Sequence, residues 1–364
     1  MKIIISGGGT GGHVFPAIAI ADALKQKDKF IEILFVGAKG KLEMEKVPKA
    51  GYPIEGLWIS GFQRKFTLRN LAFPIKLTSS MMKAWRIVRR FRPDVVVGVG
   101  GYASGPVLEV ASRMGIPAVI QEQNSFAGIT NRLLARKVKK VCVAYDGMER
   151  FFPKERIVMT GNPVRKDLVQ LQNLREEGLR HFGLNPDKKT LLVFGGSLGA
   201  KTLNEMMASN YETIQSHVDK QVLWQVGKLY EAQYRNVPTA QLSQVKVLPF
   251  IDRMDLAYAM ADVVMCRAGA LTISELCLAE KAAVLIPSPN VAEDHQRMNA
   301  MSLVKVGAAK LVLDQEAKEK GVKEAFSLLD DAESKQSLET EIAKLARPNA
   351  AEMIADQIIQ LGQR

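Results

Sequence analysis

Ser6-Gly7-Gly8-Gly9-Thr10-Gly11-Gly12-His13-Val14-Phe15-Pro16 stands between the apolar run 3–5 and a helix-like stretch over 17–26. Glycine lets a backbone take positive φ and approach a ligand closely, and a following helix presents unpaired N–H groups and a positive dipole end. An anionic or oxygen-rich ligand is therefore expected on this turn, although a buried tight turn without a ligand reads the same way. Gly7, Gly9 and Gly12 also satisfy the dinucleotide fingerprint. The acidic residue that would hold an adenosine ribose is missing, because the second strand, 33–36, ends in Gly37-Ala38-Lys39. A nicotinamide-dependent oxidoreductase is thereby disfavoured.

With 364 residues the chain is long enough for two domains. The first residues enter a strand directly instead of forming a cleavable signal, and no apolar run approaches the roughly 20 residues that span a bilayer. A cytoplasmic protein is expected. Cys142, Cys266 and Cys277 lack metal-ligand spacing and sit in apolar contexts, so they read as buried reduced thiols. Net charge is +12, compatible with nucleic acid, anionic lipid or a phosphorylated substrate. Its distribution decides among these. Between Gly56 and Pro93 there are nine Lys or Arg residues and no Asp or Glu, interleaved with Phe62, Phe66, Phe73, Leu77, Met82 and Trp85 among others. Basic residues mixed with large apolar ones fit an anionic bilayer interface. An amphipathic core helix with a solvated basic face is the plainer alternative. No nucleic-acid-binding module is found, and no nucleic acid partner is expected.

Short apolar runs at 33–36, 95–99, 118–121, 141–144 and 157–159 alternate with helical patterns, the rhythm of a parallel sheet covered on both faces. Ligands of such sheets gather at the carboxyl ends of the strands. Three loops meet there: the opening turn, Gly98 to Gly105, and Gln121-Glu122-Gln123-Asn124-Ser125. After Asn162-Pro163 and a polar helical connection over 167–182, a second series begins, with 191–194 leading into Gly195-Gly196-Ser197-Leu198-Gly199-Ala200. Further strands are expected at 222–225, 245–248, 262–266, 284–286 and 310–313. The echo of the first strand and turn predicts two Rossmann-like halves with a ligand cleft between them. Helices near 335–345 and 350–361 finish the chain, separated at Arg347-Pro348, where the last helix can pass back to the first half.

Arg267-Ala268-Gly269-Ala270-Leu271-Thr272-Ile273-Ser274-Glu275 follows a strand directly. Gly269 and Ala270 allow close approach, Thr272 can cap or donate, and a helix starting here aims its N-terminus at a diphosphate. Glu275, one turn in, is placed to accept two hydrogen bonds from a ribose diol. Alternatively Glu275 complements the helix dipole and Arg267 pairs with a neighbouring carboxylate. Gln296 and Asn299, three apart on one helix face, suit sugar hydroxyls. No Asp-X-Asp follows a strand, so no divalent ion is expected on the diphosphate and no cofactor is called for. His13, beside a helix N-terminus, reads as a neutral ring able to accept a proton, or as one that only ties the glycine turn together.

These residues, together with Val99-Gly100-Gly101-Tyr102, Glu122-Gln123-Asn124 and Gly161-Asn162-Pro163-Val164-Arg165, resemble the MurG family of bacterial glycosyltransferases, from the first strand to the final helix. The resemblance implies a GT-B architecture: an N-terminal acceptor and membrane-associating domain over 1–163, a C-terminal UDP-sugar domain over 164–345, and a last segment, 346–364, packing back on the first. It implies an inverting, metal-independent transfer of N-acetylglucosamine from its UDP donor to the lipid I muramoyl sugar, giving lipid II for peptidoglycan. Arg165 and Ser197 would then serve the diphosphate, Ile251 the uracil, Ala270, Leu271 and Thr272 the phosphate, Glu275 the ribose, and Gln296 with Asn299 the sugar. Thr10, Gly11, Gly12 and Asn124 would reach the sugar across the cleft, and Gly100, Gly101 and Tyr102 would line the acceptor side. His13 would be the base, with Glu122 in reserve. Some members carry two consecutive glutamines where this chain has His295-Gln296, so the role passes to Gln296 alone. A polyprenyl substrate favours the membrane reading, with Phe73, Leu77 and Trp85 entering an anionic surface at the cytoplasmic face. The competing readings are a GT-B transferase with another acceptor and a catalytically idle binding protein.

Overall fold

β-branched runs stopped by glycine build thirteen strands among the described residues. The structure, a computed structural model, describes residues 1–60, 73–164, 168, 171–196, 198–291 and 294–363. They form two units, Met1–Val164 with Asn349–Arg364, and Arg165–Pro348.

In the first unit the strands are β1 (Lys2–Ser6), β2 (Glu32–Ala38), β3 (Ile54–Leu57), β4 (Val95–Gly98), β5 (Ala118–Glu122), β6 (Lys140–Val143) and β7 (Ile157–Met159). They lie in the order β3-β2-β1-β4-β5-β6-β7, and every pair is parallel. Parallel strands buried on both faces carry continuous apolar runs, and alternate side chains supply two cores. Ile4, Leu34, Val36 and Val96 pack with Ala84, Ile87 and Val88 of the helix Phe73–Phe91 and Val107, Leu108 and Ala111 of the helix Ser104–Arg113. Ile3, Ile5, Phe35 and Val97 pack on the other face with Val14, Ile20 and Leu24 of the helix Gly11–Lys27. Ile354, Ala355 and Ile358 of the helix Ala350–Gly362 join that second core. The closing segment is thus part of the first unit, clipped by Lys27 and Asp356 at 2.7 Å.

In the second unit β8 (Lys189–Phe194), β9 (Lys220–Gln225), β10 (Val245–Leu248), β11 (Val263–Cys266), β12 (Ala283–Leu285) and β13 (Lys310–Leu311) lie in the order β10-β9-β8-β11-β12-β13, again all parallel. Leu191, Val193, Trp224, Val263 and Met265 pack against Leu203, Met206 and Met207 of the helix Lys201–Ser209 and Val322, Ala325 and Phe326 of the helix Ala317–Asp330. Both sheets change winding direction between their first and fourth strands, the topological switch where open α/β sheets take ligands.

Two local expectations need correction. The apolar periodicity places the first helix at 17–26, yet it starts at Gly11, because Thr10 is extended (φ −141°, ψ 160°) and its carbonyl takes the N–H groups of His13 and Val14 at 3.1 Å. Strand β3 was not foreseen. Pro53 and Gly56 interrupt its pattern, and only pairing to β2 makes it a strand. The three cysteines are buried and unpaired, and burial pushes the Cys142 and Cys277 thiols up to about 12.

Candidate active site

At the switch of the first sheet, β1 runs into Gly7-Gly8-Gly9 and β4 into Val99-Gly100-Gly101. The two turns interlock backbone against backbone. A Cβ on Gly101 (φ +82°) would stand 2.2 Å from the Gly8 carbonyl oxygen, and one on Gly7 would stand 2.2 Å from Val99 Cγ2. Glycine is thus required by space at both positions, and at Gly101 by φ as well. Gly9 gives its N–H to Glu43 Oε2 at 2.8 Å, and Ala38 gives its N–H to Glu43 Oε1 at 2.8 Å. An internal carboxylate therefore holds a donor that the sequence reading had offered to an anionic ligand. Glu43 is buried and was missed; the signal was an acidic residue just past the Gly37-Ala38 end of β2.

His13 lies in the first turn of the helix Gly11–Lys27, half-buried, its ring against Gly100: a Cβ on Gly100 (φ +91°) would reach the ring at 2.9 Å. Its Nδ1 is 3.0 Å from Gln123 Oε1. Gln123 is fully buried, and its Nε2 donates to the Val99 carbonyl at 2.8 Å. The same nitrogen faces Gln121, whose side-chain oxygen also accepts from it. Gln121 donates to Asn162 Oδ1 at 3.0 Å, and Asn162 Nδ2 donates back to the Gln123 carbonyl at 3.0 Å. Thr10 and Gly12 are exposed, Gly11 is half-buried, and Tyr102 stands half exposed at the turn before the helix Ser104–Arg113.

Glu122 ends β5 and is only 1% exposed. Its Oε1 accepts from Asn124 N at 3.1 Å and Asn124 Nδ2 at 3.3 Å, and its Oε2 accepts from Gly128 N at 3.0 Å and Asn131 Nδ2 at 2.8 Å. A carboxylate holding four donors fastens the loop that carries Asn124. This geometry favours His13 over Glu122 for proton transfer.

The second unit repeats the arrangement with different chemistry. β8 runs into Gly195-Gly196 (Gly196 φ +91°), and β11 into Arg267-Ala268-Gly269, with the helix Ala270–Ala279 capped by an extended Gly269. Ala270 is buried, while Leu271, Thr272 and Glu275 are half-buried along the start of this helix. Glu275 Oε2 accepts from the hydroxyl of Tyr258 at 3.0 Å, and Tyr258 is fully buried. Arg267 takes the plainer of its two readings: it donates to the Ile286 carbonyl at 3.0 Å and pairs with Asp314, tying the ends of β11 and β12 together. Ile251 is buried and gives its N–H to Gln225 Oε1 at 3.0 Å, and Gln225 Nε2 donates to the Gly196 carbonyl at 2.8 Å. One buried amide thus links two loops at this sheet edge. Gln296, in the helix His295–Val304, accepts from Ser288 N at 2.8 Å through its side-chain oxygen; Asn299 is fully buried. Arg165 and Ser197 lie outside the described residues, as do residues 61–72 of the basic apolar stretch.

The helix Phe73–Phe91 turns Ser80, Ala84, Ile87 and Val88 inward. Ile75, Thr78, Met82, Trp85 and Arg89 form an outward stripe, with Ile75 65% and Trp85 44% exposed. Leu77 is also exposed, Phe73 is half-buried, and the Arg89 guanidinium sits 4.9 Å from the Trp85 ring centroid. Trp58, half exposed, has Lys76 5.7 Å from its ring centroid. Among the described residues no helix is long and apolar enough to cross a membrane, and no cluster of three His, Cys, Asp or Glu side chains is arranged to hold a metal.

Residues 3–143 match the glycosyltransferase family 28 N-terminal domain, and residues 190–358 match its C-terminal domain. A Bacteroides fragilis protein named UDP-N-acetylglucosamine--N-acetylmuramyl-(pentapeptide) pyrophosphoryl-undecaprenol N-acetylglucosamine transferase is 51% identical over 366 residues, covering 100% of this chain and 96% of its own. A Flavobacterium psychrophilum protein of the same name is 51% identical over 361 residues, covering 99% and 97%. The crystal structure of Acinetobacter baumannii MurG matches with a TM-score of 0.80 at 31% identity, covering 99% of each chain.

Proposed function

The chain belongs to the MurG family of glycosyltransferases, with its GT-B fold, and from that premise we propose that it transfers N-acetylglucosamine from UDP-N-acetylglucosamine to the 4-hydroxyl of the muramoyl sugar of lipid I, giving lipid II and UDP. The oxidoreductase alternative is not favoured.

In this reading the second unit takes the donor. Glu275, oriented by Tyr258, accepts from the ribose diol, and the first N–H groups of the helix Ala270–Ala279 face the diphosphate, assisted by Arg165 and Ser197. The Ile251 N–H is already given to Gln225, so the uracil is read there through the main-chain carbonyl and the side chain. The Gln296 NH2 group donates to the sugar, because its oxygen is taken by Ser288. The first unit takes the acceptor at Gly100, Gly101 and Tyr102, with Thr10, Gly11, Gly12 and Asn124 toward the transferred sugar.

The acceptor oxygen attacks the anomeric carbon on the face opposite UDP and forms the new C–O bond. The bond from that carbon to the phosphate oxygen breaks, its electron pair leaves with UDP, and the hydroxyl proton passes to His13. One displacement through an oxocarbenium-like state inverts the centre. The leaving diphosphate is stabilised by helix N–H groups and side-chain donors, without a metal ion. Glu122 holds the loop of Asn124 in place. The stripe of Ile75, Met82 and Trp85 with its basic neighbours rests peripherally on the anionic cytoplasmic face of the membrane, where a polyprenyl acceptor resides.

The observation that carries this reading is the His13 ring, seated on Gly100 and hydrogen-bonded to Gln123 at the switch of the first sheet. The test is radiolabelled UDP-N-acetylglucosamine with a lipid I analogue in EDTA. A labelled disaccharide-lipid product is expected. No product with or without added divalent metal would refute the assignment, and product only with metal would refute the metal-free step.

A further inference from the structure

A backbone carbonyl can only accept a hydrogen bond, so the Gln123 side-chain nitrogen must be the atom that faces the Val99 carbonyl at 2.8 Å. The same nitrogen lies 3.3 Å from the Gln121 carbonyl and also faces Gln121 Oε1, so three oxygens surround it. Turning the amide over would set oxygen against three oxygens, in a fully buried position where an unmatched polar atom is costly. The other end of the amide is therefore oxygen, and it lies 3.0 Å from His13 Nδ1. An oxygen there accepts only if Nδ1 carries hydrogen. In a neutral imidazole with hydrogen on Nδ1, the lone pair belongs to Nε2.

We propose that Gln123 is a positioning residue that fixes His13 as the Nδ1–H tautomer, so that Nε2 is the nitrogen that receives the acceptor proton. The proposal rests on the reading of His13 as the base. Gln123 itself touches no reacting atom. Its orientation is fixed from behind by Asn162, which accepts from Gln121 and donates to the Gln123 carbonyl. The amide relay therefore runs from Asn162, beside the segment that leaves the first unit, to the ring of His13. Gly100 completes the seat, since any side chain there would displace the imidazole from Gln123.

The experiment uses the full chain with nitrogen-15-labelled histidine. Four histidines are present, and the signal missing from His13→Ala assigns His13. Above the titration of the ring, the wild type is expected to show a protonated Nδ1 and a lone-pair Nε2, the reverse of the preference of free imidazole side chains. In Gln123→Met, which keeps length and loses the acceptor, that signature should be lost, and turnover should fall about 10- to 100-fold, within the range of a mispositioned general base. The KM for UDP-N-acetylglucosamine should change by less than about 2-fold, because ground-state donor binding does not use this contact. Gln123→Glu can copy the amide only when its carboxyl is protonated, donating to Val99 and accepting from Nδ1, so its activity should recover toward acidic pH. A wild-type His13 with hydrogen on Nε2 would overturn the proposal, and so would undiminished turnover in Gln123→Met. Should Gln123→Met not fold, the wild-type signature alone decides. Normal turnover in His13→Ala would instead refute the base reading, a failure separable from that of the tautomer assignment because the spectrum does not depend on activity.

Discussion

Glu122→Gln separates two meanings of the same buried residue. The carboxylate satisfies two donors on each oxygen: Asn124 N and Nδ2 on one, Gly128 N and Asn131 Nδ2 on the other. Replacing one oxygen by NH2 leaves one pair of donors facing a donor, whichever way the amide turns. Hydrogen bonds to charged groups contribute about 1.5–3 kcal/mol each, so losing one pair costs roughly 3 kcal/mol or more. In a unit of this size about 1 kcal/mol corresponds to some 2–4 °C, which places the loss near 6–12 °C. The assay is differential scanning calorimetry combined with amide hydrogen exchange at Asn124 and Gly128, both of which should lose protection. Turnover should fall in step with that protection. A variant that melts within about 2 °C of the wild type, keeps both amides protected and yet loses turnover more than about 100-fold would refute the anchoring argument and make Glu122 the base.

Gly101→Ala forces a side chain into a φ of +82° with its Cβ 2.2 Å from the Gly8 carbonyl, so a loss of about 1–3 kcal/mol or more and near-abolished turnover are expected in denaturant titration and assay; a wild-type midpoint would contradict the interlocked turns. Tyr258→Phe removes one buried donor from Glu275, worth about 1 kcal/mol, so the KM for UDP-N-acetylglucosamine should rise roughly 5-fold with the KM for the lipid acceptor unchanged; an unmoved donor KM would remove Glu275 from the ribose. Replacing Ile75, Met82 and Trp85 together by Ser should weaken binding to anionic vesicles by about 100-fold or more in flotation assays, since each inserted side chain contributes on the order of 1 kcal/mol; undiminished binding would reject that helix as the contact.

The alternation of apolar runs with helical patterns was enough to place twelve of the thirteen strands among the described residues, because parallel strands buried on both faces need uninterrupted Val, Ile and Leu. β3 escaped because an edge strand tolerates Gly56 and depends on its neighbour. The start of the first helix escaped because glycines carry no helix signal, whereas in the folded chain Thr10 offers its carbonyl to the N–H groups of His13 and Val14. The site was legible where a residue acts through the backbone around it. Gly100 and Gly101 follow a strand end, and His13 and Glu275 lie in the first two turns of the helices that come after β1 and β11, so spacing alone brings them near a sheet edge. What remained illegible was the layer behind them. Glu43 reaches Gly9 across 34 residues, Gln123 reaches His13 across 110, and Tyr258 supports Glu275 from another helix. Such contacts are made by folding, and one-dimensional spacing does not encode them.

The two sheets share one winding order, and the difference between their switch points fits the proposed assignment of donor and acceptor. A turn built of glycine N–H groups at a strand end is an anion seat by default. In the first unit that seat is partly filled by the chain's own carboxylate: Glu43 takes the Gly9 N–H, and the approach of Gly101 to Gly8 closes the backbone on itself. What the first switch presents instead is a ring, His13, standing on Gly100 with its tautomer set from below. In the second unit the Gly196 carbonyl accepts from Gln225 Nε2 and from the Gly199 N–H, and the turn after β11 opens directly into the helix Ala270–Ala279 with no acidic residue in its first turn. A carboxylate thus sits on a glycine N–H group of the first switch, whereas at the second the carboxylate of Asp314 is paired with Arg267. On the proposed function the diphosphate leaving group is assigned to the second switch and the proton acceptor to the first, and Glu43→Gln should therefore loosen the glycine turn beneath His13 while leaving UDP affinity within about 2-fold of the wild type in calorimetric titration. A selective loss of UDP binding in that variant would show that the glycine turn of the first unit, and not the second switch, carries the diphosphate.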